Sequence, residues 1–270
     1  MTNHALHLGG DILFYFGQIP VKNTTLAVVL VDIILVVIGI VIVLTARVIP
    51  TRLQAVLEMT LEFIESIANT LPKFVRKELV PILFVWFLFI LVANWIGLLP
   101  GIETIKINIS GKYLPLLKGP NTDLNLTLAM AFVSFVIVEG IVLFAIGIKG
   151  WLQHFFHVSK SFLLPLFIAI GLLELILEPV KFFTLAMRLF GNILAGETLI
   201  STLSNIPLIA TPFLLLEVLV GVLQALVFVT LTVSFLGLML QDNTHDTDDG
   251  TPDTNTNTNH LNNNLNYAKK

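Results

Sequence analysis

Several runs of about twenty consecutive apolar residues dominate the chain, and each is long enough to cross a hydrocarbon layer roughly 30 Å thick. Inside such a layer no water satisfies the backbone N–H and C=O groups, so only helices or closed barrels can span it. The runs at about 26–46, 79–99 and 124–148 are continuous rather than alternating, and two longer stretches follow at about 162–203 and 208–240. Lengths like these point to helices. Of the 270 residues, 56% are hydrophobic and only 12% charged, whereas a soluble domain carries about 25% charged residues. The expected architecture is an all-α polytopic membrane protein with about five membrane-crossing helices. A net charge of −3 gives no general attraction to nucleic acid. The absence of cysteine excludes disulfides, thiolate zinc sites and cysteine nucleophiles.

Between the first two spans, residues 47–78 are basic at both ends, with Arg47, Arg52, Lys73, Arg76 and Lys77. In their middle, Glu58, Glu62 and Glu65 recur at helical spacing opposite Leu53, Val56, Leu57, Leu61 and Ile64. That pattern reads as an amphipathic helix lying in the membrane interface. The segment 100–123 is rich in Gly, Pro and polar residues and reads as a loop, and the tail 241–270, mostly Asn, Asp and Thr, reads as disordered. Three regions result: an outer N-terminal segment 1–25, a membrane domain 26–240 and the polar tail 241–270. Segments 47–78 and 149–160, together with the tail, carry more Lys and Arg than the N-terminus and 100–123, where Lys106, Lys112 and Lys118 lie. The positive-inside rule then puts the N-terminus outside and the C-terminus in the cytoplasm.

The last two apolar stretches form a hairpin about Ser204, Asn205 and Pro207. At 1.5 Å per residue its arms are roughly 60 Å and 50 Å long, far beyond what an upright span needs. The hairpin must therefore be strongly tilted, or broken, with Pro179 the candidate break. Along it lie Glu174, Glu178, Lys181, Arg188, Asn192, Glu197, Glu217 and Gln224. Ionisable residues at membrane depth mark ion or substrate paths, and an arginine there is a fixed positive charge. At 100° per residue, Lys181, Arg188 and Asn192 share a face with Gly191 and Ala195, with Glu174 about four turns toward the cytoplasmic side. Glu197 points to the opposite face. Folding the hairpin about residues 205–207 brings Arg188 level with Gln224, and Glu197 level with Glu217 nearer the outer surface. Two carboxylates at one level suit holding and passing a proton, whereas a fixed arginine repels protons and discharges a passing acid. A relay ending at such a barrier implies two separated access paths.

At these residues the chain resembles subunit a of rotary F-type ATP synthases. LAMRLFGNILAGE at 185–197 is similar to that family's arginine signature, LQALVF at 223–228 to its second motif, and TDLNLTLAM at 122–130 to the start of its third span. The resemblance implies a stator subunit packed against a rotating ring of c subunits, each with one essential carboxylate, and held by b-type stator subunits in the lipid bilayer. It implies that Arg188 separates two half-channels and forces a ring carboxylate to release its proton. Asn192 and Gln224 correspond to polar positions near the arginine, Glu197 and Glu217 to the outer half-channel, and Glu174 to the cytoplasmic one. Many bacterial members pair a histidine at the 217 position with the glutamate at 197, so two glutamates depart from the pattern and leave sodium open beside protons. The family's proline nearer the arginine is displaced here to Pro179.

No GxxxxGK[ST] loop is present, so nucleotide chemistry belongs to partner subunits and the chain is a non-catalytic part of an enzyme complex. No cofactor or metal is expected; His154 and His157 lack further ligands around them. Asp32 and Glu139 read as interface or packing positions, and Glu178 and Lys181 as interfacial. The alternative reading is a stand-alone secondary transporter or channel, although the inverted repeats common in transporters are not evident. The expected location is a bacterial plasma membrane, with an organelle inner membrane as the alternative.

Overall fold

The computed structural model describes residues 10–47, 49–99, 102, 105–109, 111–155, 164–203 and 207–245. A hairpin, β1 (Ile12–Phe16) and β2 (Ile19–Lys22), leads into α1 (Asn23–Thr45). Next come α2 (Arg52–Ile67) and α3 (Lys73–Leu98), then a second hairpin, β3 (Lys106–Ile109) and β4 (Lys112–Pro115). A 3₁₀ turn at Pro120–Thr122 precedes α4 (Leu124–Phe155), α5 (Leu164–Leu203) and α6 (Pro207–His245).

Among the described residues, four helical stretches are long and apolar enough to cross a membrane: Asn23–Thr45, Lys73–Leu98, Leu124–Ala145 and Thr211–Leu240. The chain is a multi-pass integral membrane protein built of helices. α5 spans 40 residues but carries Glu174, Glu178, Lys181, Arg188 and Glu197 along its length, which lowers its apolarity. Its backbone stays helical across Pro179, so the expected break there does not occur. Tilt or gentle bending, not interruption, must absorb the excess length.

The core lies among α3, α4, α5 and α6. α3 contributes an inward stripe of Val75, Leu79, Leu83, Phe87, Ile90 and Ala93, spaced three or four residues apart as one helix face requires. Trp86 meets Phe228 edge-on, with ring centroids 5.7 Å apart, and Phe182 sits between Phe135 and Phe235 at 5.5 and 5.8 Å. Lipid tails are as apolar as these side chains, so close packing rather than water exclusion holds the helices together. α1 is the opposite case: Val36, Val37, Ile40 and Val43 are exposed, leaving an apolar surface for lipid or a partner. α2 is capped by Thr51, whose hydroxyl accepts from Gln54 N, and exposes Leu53, Val56, Met59 and Phe63 beside Glu58, Glu62 and Glu65.

The described residues between 105 and 123 include β3, β4 and the 3₁₀ turn, where the sequence reads as a loop. Gly111, at φ 83°, makes the turn between β3 and β4, and its N–H donates to Asn108 Oδ1 (3.0 Å). In α4, Gly147 takes φ 72°, ψ 168°, a conformation left essentially to glycine, and the helix axis breaks there. The break lets Trp151 Nε1 donate to Glu139 Oε2 at 2.7 Å, although a straight helix would set residues twelve apart roughly 18 Å from each other. His154 falls in this last helical segment; His157 and the tail beyond residue 245 lie outside the described residues.

One end of the bundle is tied by polar contacts. Lys22 Nζ lies 2.9 Å from Asp123 Oδ2, Thr24 Oγ1 donates to the same oxygen at 3.1 Å, and Asn125 N and Nδ2 donate to Oδ1. Burial alone would raise the Asp123 carboxyl. The ammonium of Lys22, the Asn125 N–H and the Thr24 hydroxyl outweigh it and hold the carboxyl below its usual value. A carboxyl depressed on folding adds stability that is fully present at neutral pH and is lost as pH falls through the depressed value. Amide-exchange protection at the start of α1 should therefore persist at neutral pH and fade only below about pH 4. Asp123→Asn should weaken it at neutral pH and remove most of its dependence on acid.

Candidate functional site

α5 presents two faces. Leu185, Ala186, Leu189, Phe190 and Ile193 are buried against the core. Met187, Arg188, Gly191, Ala195 and Thr198 are exposed, and Gly191, Leu194, Ala195, Thr198, Leu199 and Thr202 line a shallow groove on the bare side. Arg188 thus stands on the outer surface of the chain, beside small residues, and forms no hydrogen bond or ion pair with another described residue. A guanidinium facing hydrocarbon is costly, by about 2.5–3.5 kcal/mol on insertion scales. A polar or acidic group brought against this face would offset that cost.

One turn further along α5, Asn192 Nδ2 donates to Gln224 Oε1 of α6 at 3.1 Å. Gln224 thus bonds to Asn192, one helical turn along α5 from the expected partner Arg188. Gln224 is 4% exposed and its Nε2 is buried without a partner.

Glu217, 6% exposed, packs its carboxyl directly on Gly196 of α5, where any Cβ would overlap it. The structure therefore sets the Glu217 carboxyl at the level of Gly196, the residue before Glu197. Glu217 Oε1 and Glu197 Oε2 are both buried without a hydrogen-bond partner. Glu197 Oε1 lies 3.5 Å from Lys118 Nζ, a contact between α5 and the segment after β4. Glu174 is half-buried nearer the start of α5, well apart from the carboxylate pair, and is not brought to Arg188. Glu178 and Lys181 are not both interfacial: Glu178 is 2% exposed and forms an ion pair with Lys181, whose ammonium lies 5.5 Å from the Phe235 ring centroid.

Three residues near the carboxylates escaped the sequence reading. Asn121 Nδ2 donates to Asn94 Oδ1 (2.7 Å), and Asn94 Nδ2 donates to the Gly221 carbonyl of α6 (3.2 Å). These bonds tie α3, the 3₁₀ turn and α6 together within one turn of Glu217. An asparagine inside an apolar span was the available signal for Asn94. Nothing in the sequence pointed Lys118 at Glu197, since the pair is 79 residues apart, and a lysine in a polar segment carries no mark.

Residues 25–237 match the profile of the family described as ATP synthase A chain. The chain is 32% identical to ATP synthase subunit a of Gloeobacter violaceus, over 88% of this chain and 92% of that one. It is 30% identical to ATP synthase subunit a of Moorella thermoacetica, over 83% and 93%. It is also 30% identical to ATP synthase subunit a 2 of Vibrio campbellii, over 72% and 78%.

Gly196→Ala should force the Glu217 carboxyl aside and destabilise the α5–α6 contact by about 1–3 kcal/mol. Melting of the purified protein in detergent should show the drop, and adding Glu217→Ala should recover most of it. A double variant that melts as low as Gly196→Ala alone would mean that the two residues do not touch.

Proposed function

The chain belongs to the ATP synthase A chain family, and from that premise we propose that it is the stator-side proton channel of a rotary ATP synthase. It offers two half-channels to a ring of c subunits and couples proton flow to ATP synthesis. The observation that carries the reading is Arg188, an always-charged side chain on a bare, small-residue face at membrane depth. A ring of carboxylates passing that face supplies the missing neighbour. Two unit charges 4 Å apart attract by about 4 kcal/mol at an effective dielectric of 20, equivalent to roughly three pK units. That is enough to strip the proton from a neutral carboxylic acid drawn up to Arg188, and it keeps an ionised carboxylate from leaving until it is reprotonated.

Glu197 and Glu217 form the outer half-channel, where their unpartnered oxygens accept and pass protons toward the ring. Asn192 and Gln224 fix the α5–α6 spacing between this pair and Arg188. Glu174 belongs to the cytoplasmic half-channel. The membrane domain 26–240 does the transport, its 162–240 hairpin carries the ion path, and α5 is the fifth crossing. The c-ring covers the Arg188 face, b-type subunits hold the assembly, and the N-terminus lies outside a bacterial plasma membrane with the C-terminus in the cytoplasm. A sodium-translocating version is the second reading, favoured by two carboxylates where oxygen ligands for a hard cation would be wanted.

In vesicles carrying the reconstituted complex, Arg188→Ala should abolish ATP-driven acidification while the assembled complex still hydrolyses ATP in detergent. Normal pumping by this variant would defeat the barrier role. Sodium uptake without acidification by the unmodified complex would change the ion and leave the architecture.

A further inference from the structure

Lys118 sits in a segment held on both sides. Before it, Leu116 N donates to the Ile105 carbonyl at 2.8 Å. After it, Gly119 lies close against Gly97, Thr122 Oγ1 donates to the Gly119 carbonyl at 2.6 Å, and Asn121 is bonded to Asn94. The nearest acid in sequence, Asp123, is already occupied by Lys22, Thr24 and Asn125. The ammonium of Lys118 reaches across to α5 instead and stands 3.5 Å from Glu197 Oε1, with the two side chains only 18% and 31% exposed.

A wholly exposed ion pair of this kind would mean little. This one is mostly enclosed, and its backbone is fixed before the side chain is counted. It also touches only one oxygen of the carboxylate: Glu197 Oε2 is buried and unpartnered, as is Glu217 Oε1 on the neighbouring helix. Of the two glutamates, one has a cation and the other does not.

We propose that Lys118 is a positioning residue for the outer half-channel: it holds Glu197 by Oε1 at the rim, so that Oε2 is presented inward beside Glu217. The cation that two acidic side chains lack between themselves comes from the segment linking α3 and α4. This inference rests on the proton-channel reading above. Both the orientation and the charge balance of the carboxylate pair then depend on a residue outside the α5–α6 hairpin.

The test uses the whole complex reconstituted in vesicles, with initial rates of ATP-driven acidification compared for the native chain, Lys118→Met, Lys118→Arg and Arg188→Ala. Lys118→Met should lower the rate about tenfold, as a misplaced proton-transfer group does, with ATP hydrolysis in detergent retained. Lys118→Arg, which keeps the charge, should restore the rate to within about twofold of native on the same grounds. Native pumping by Lys118→Met, equal impairment of both Lys118 variants, or failure of Lys118→Met to assemble would each overturn the positioning role. If Arg188→Ala is silent while Lys118→Met pumps normally, the inference fails and the channel reading stands. If Arg188→Ala pumps normally, the channel reading fails and takes the inference with it.

Discussion

A charge that hydrocarbon cannot accept organises this molecule. Arg188 lies midway along a helix whose other face is packed into the core, and the groove on its bare side is lined by Gly191, Ala195, Thr198 and Thr202 with Leu194 and Leu199. Small residues allow another helix to approach closely, and the guanidinium demands that this helix bring polarity with it. Each feature alone is weak. Together they fit the proposed docking face for a partner carrying acids. The length of α5 serves the same end, since one unbroken helix of 40 residues can present separate polar levels to that partner along a single inclined path.

Polar groups on the packed side are few and are held by contacts distant in sequence. Asn94 and Asn121 bridge α3 to the carbonyl of Gly221, Gly196 makes room for Glu217, and Asn192 meets Gln224. Most of these meet at the end of the bundle where α1, α4 and α6 begin and α3 and α5 finish. The opposite end carries the basic flanks of α2 and α3. A buried carboxylate oxygen without a partner is expensive in an apolar setting and persists where the surrounding structure holds it in place. Here that support comes from α3, α5, α6 and a 3₁₀ turn.

The sequence made the helices legible because continuous apolar runs of membrane length admit no other spanning structure. The hairpin register was also readable: two helices joined by a short turn must run antiparallel, and Glu217 falls at Gly196, next to the expected level. Gln224 bonds to Asn192 rather than meeting Arg188, because counting residues from a turn does not fix which long side chains near one level meet. Pro179 misled for a similar reason, since one missing hydrogen bond lowers helix stability without obliging a break when neighbouring helices hold both halves. The two β-hairpins were hidden by brevity, with strands of four or five residues within polar stretches. Lys118 was beyond any local pattern, since its significance comes only from folding a distant segment over the end of α5.

Because the chain contains no cysteine, the proposed docking face around Arg188 can be probed one position at a time. Single cysteines at 187, 191 and 195, on the Arg188 face, and at 186, 189 and 193, on the buried face, would be paired with a cysteine beside the carboxylate of the c subunit. Oxidation of the assembled complex in its membrane should cross-link the first set to subunit c and leave the second set uncoupled. Cross-links from the second set, or none from the first, would contradict a docking face centred on Arg188.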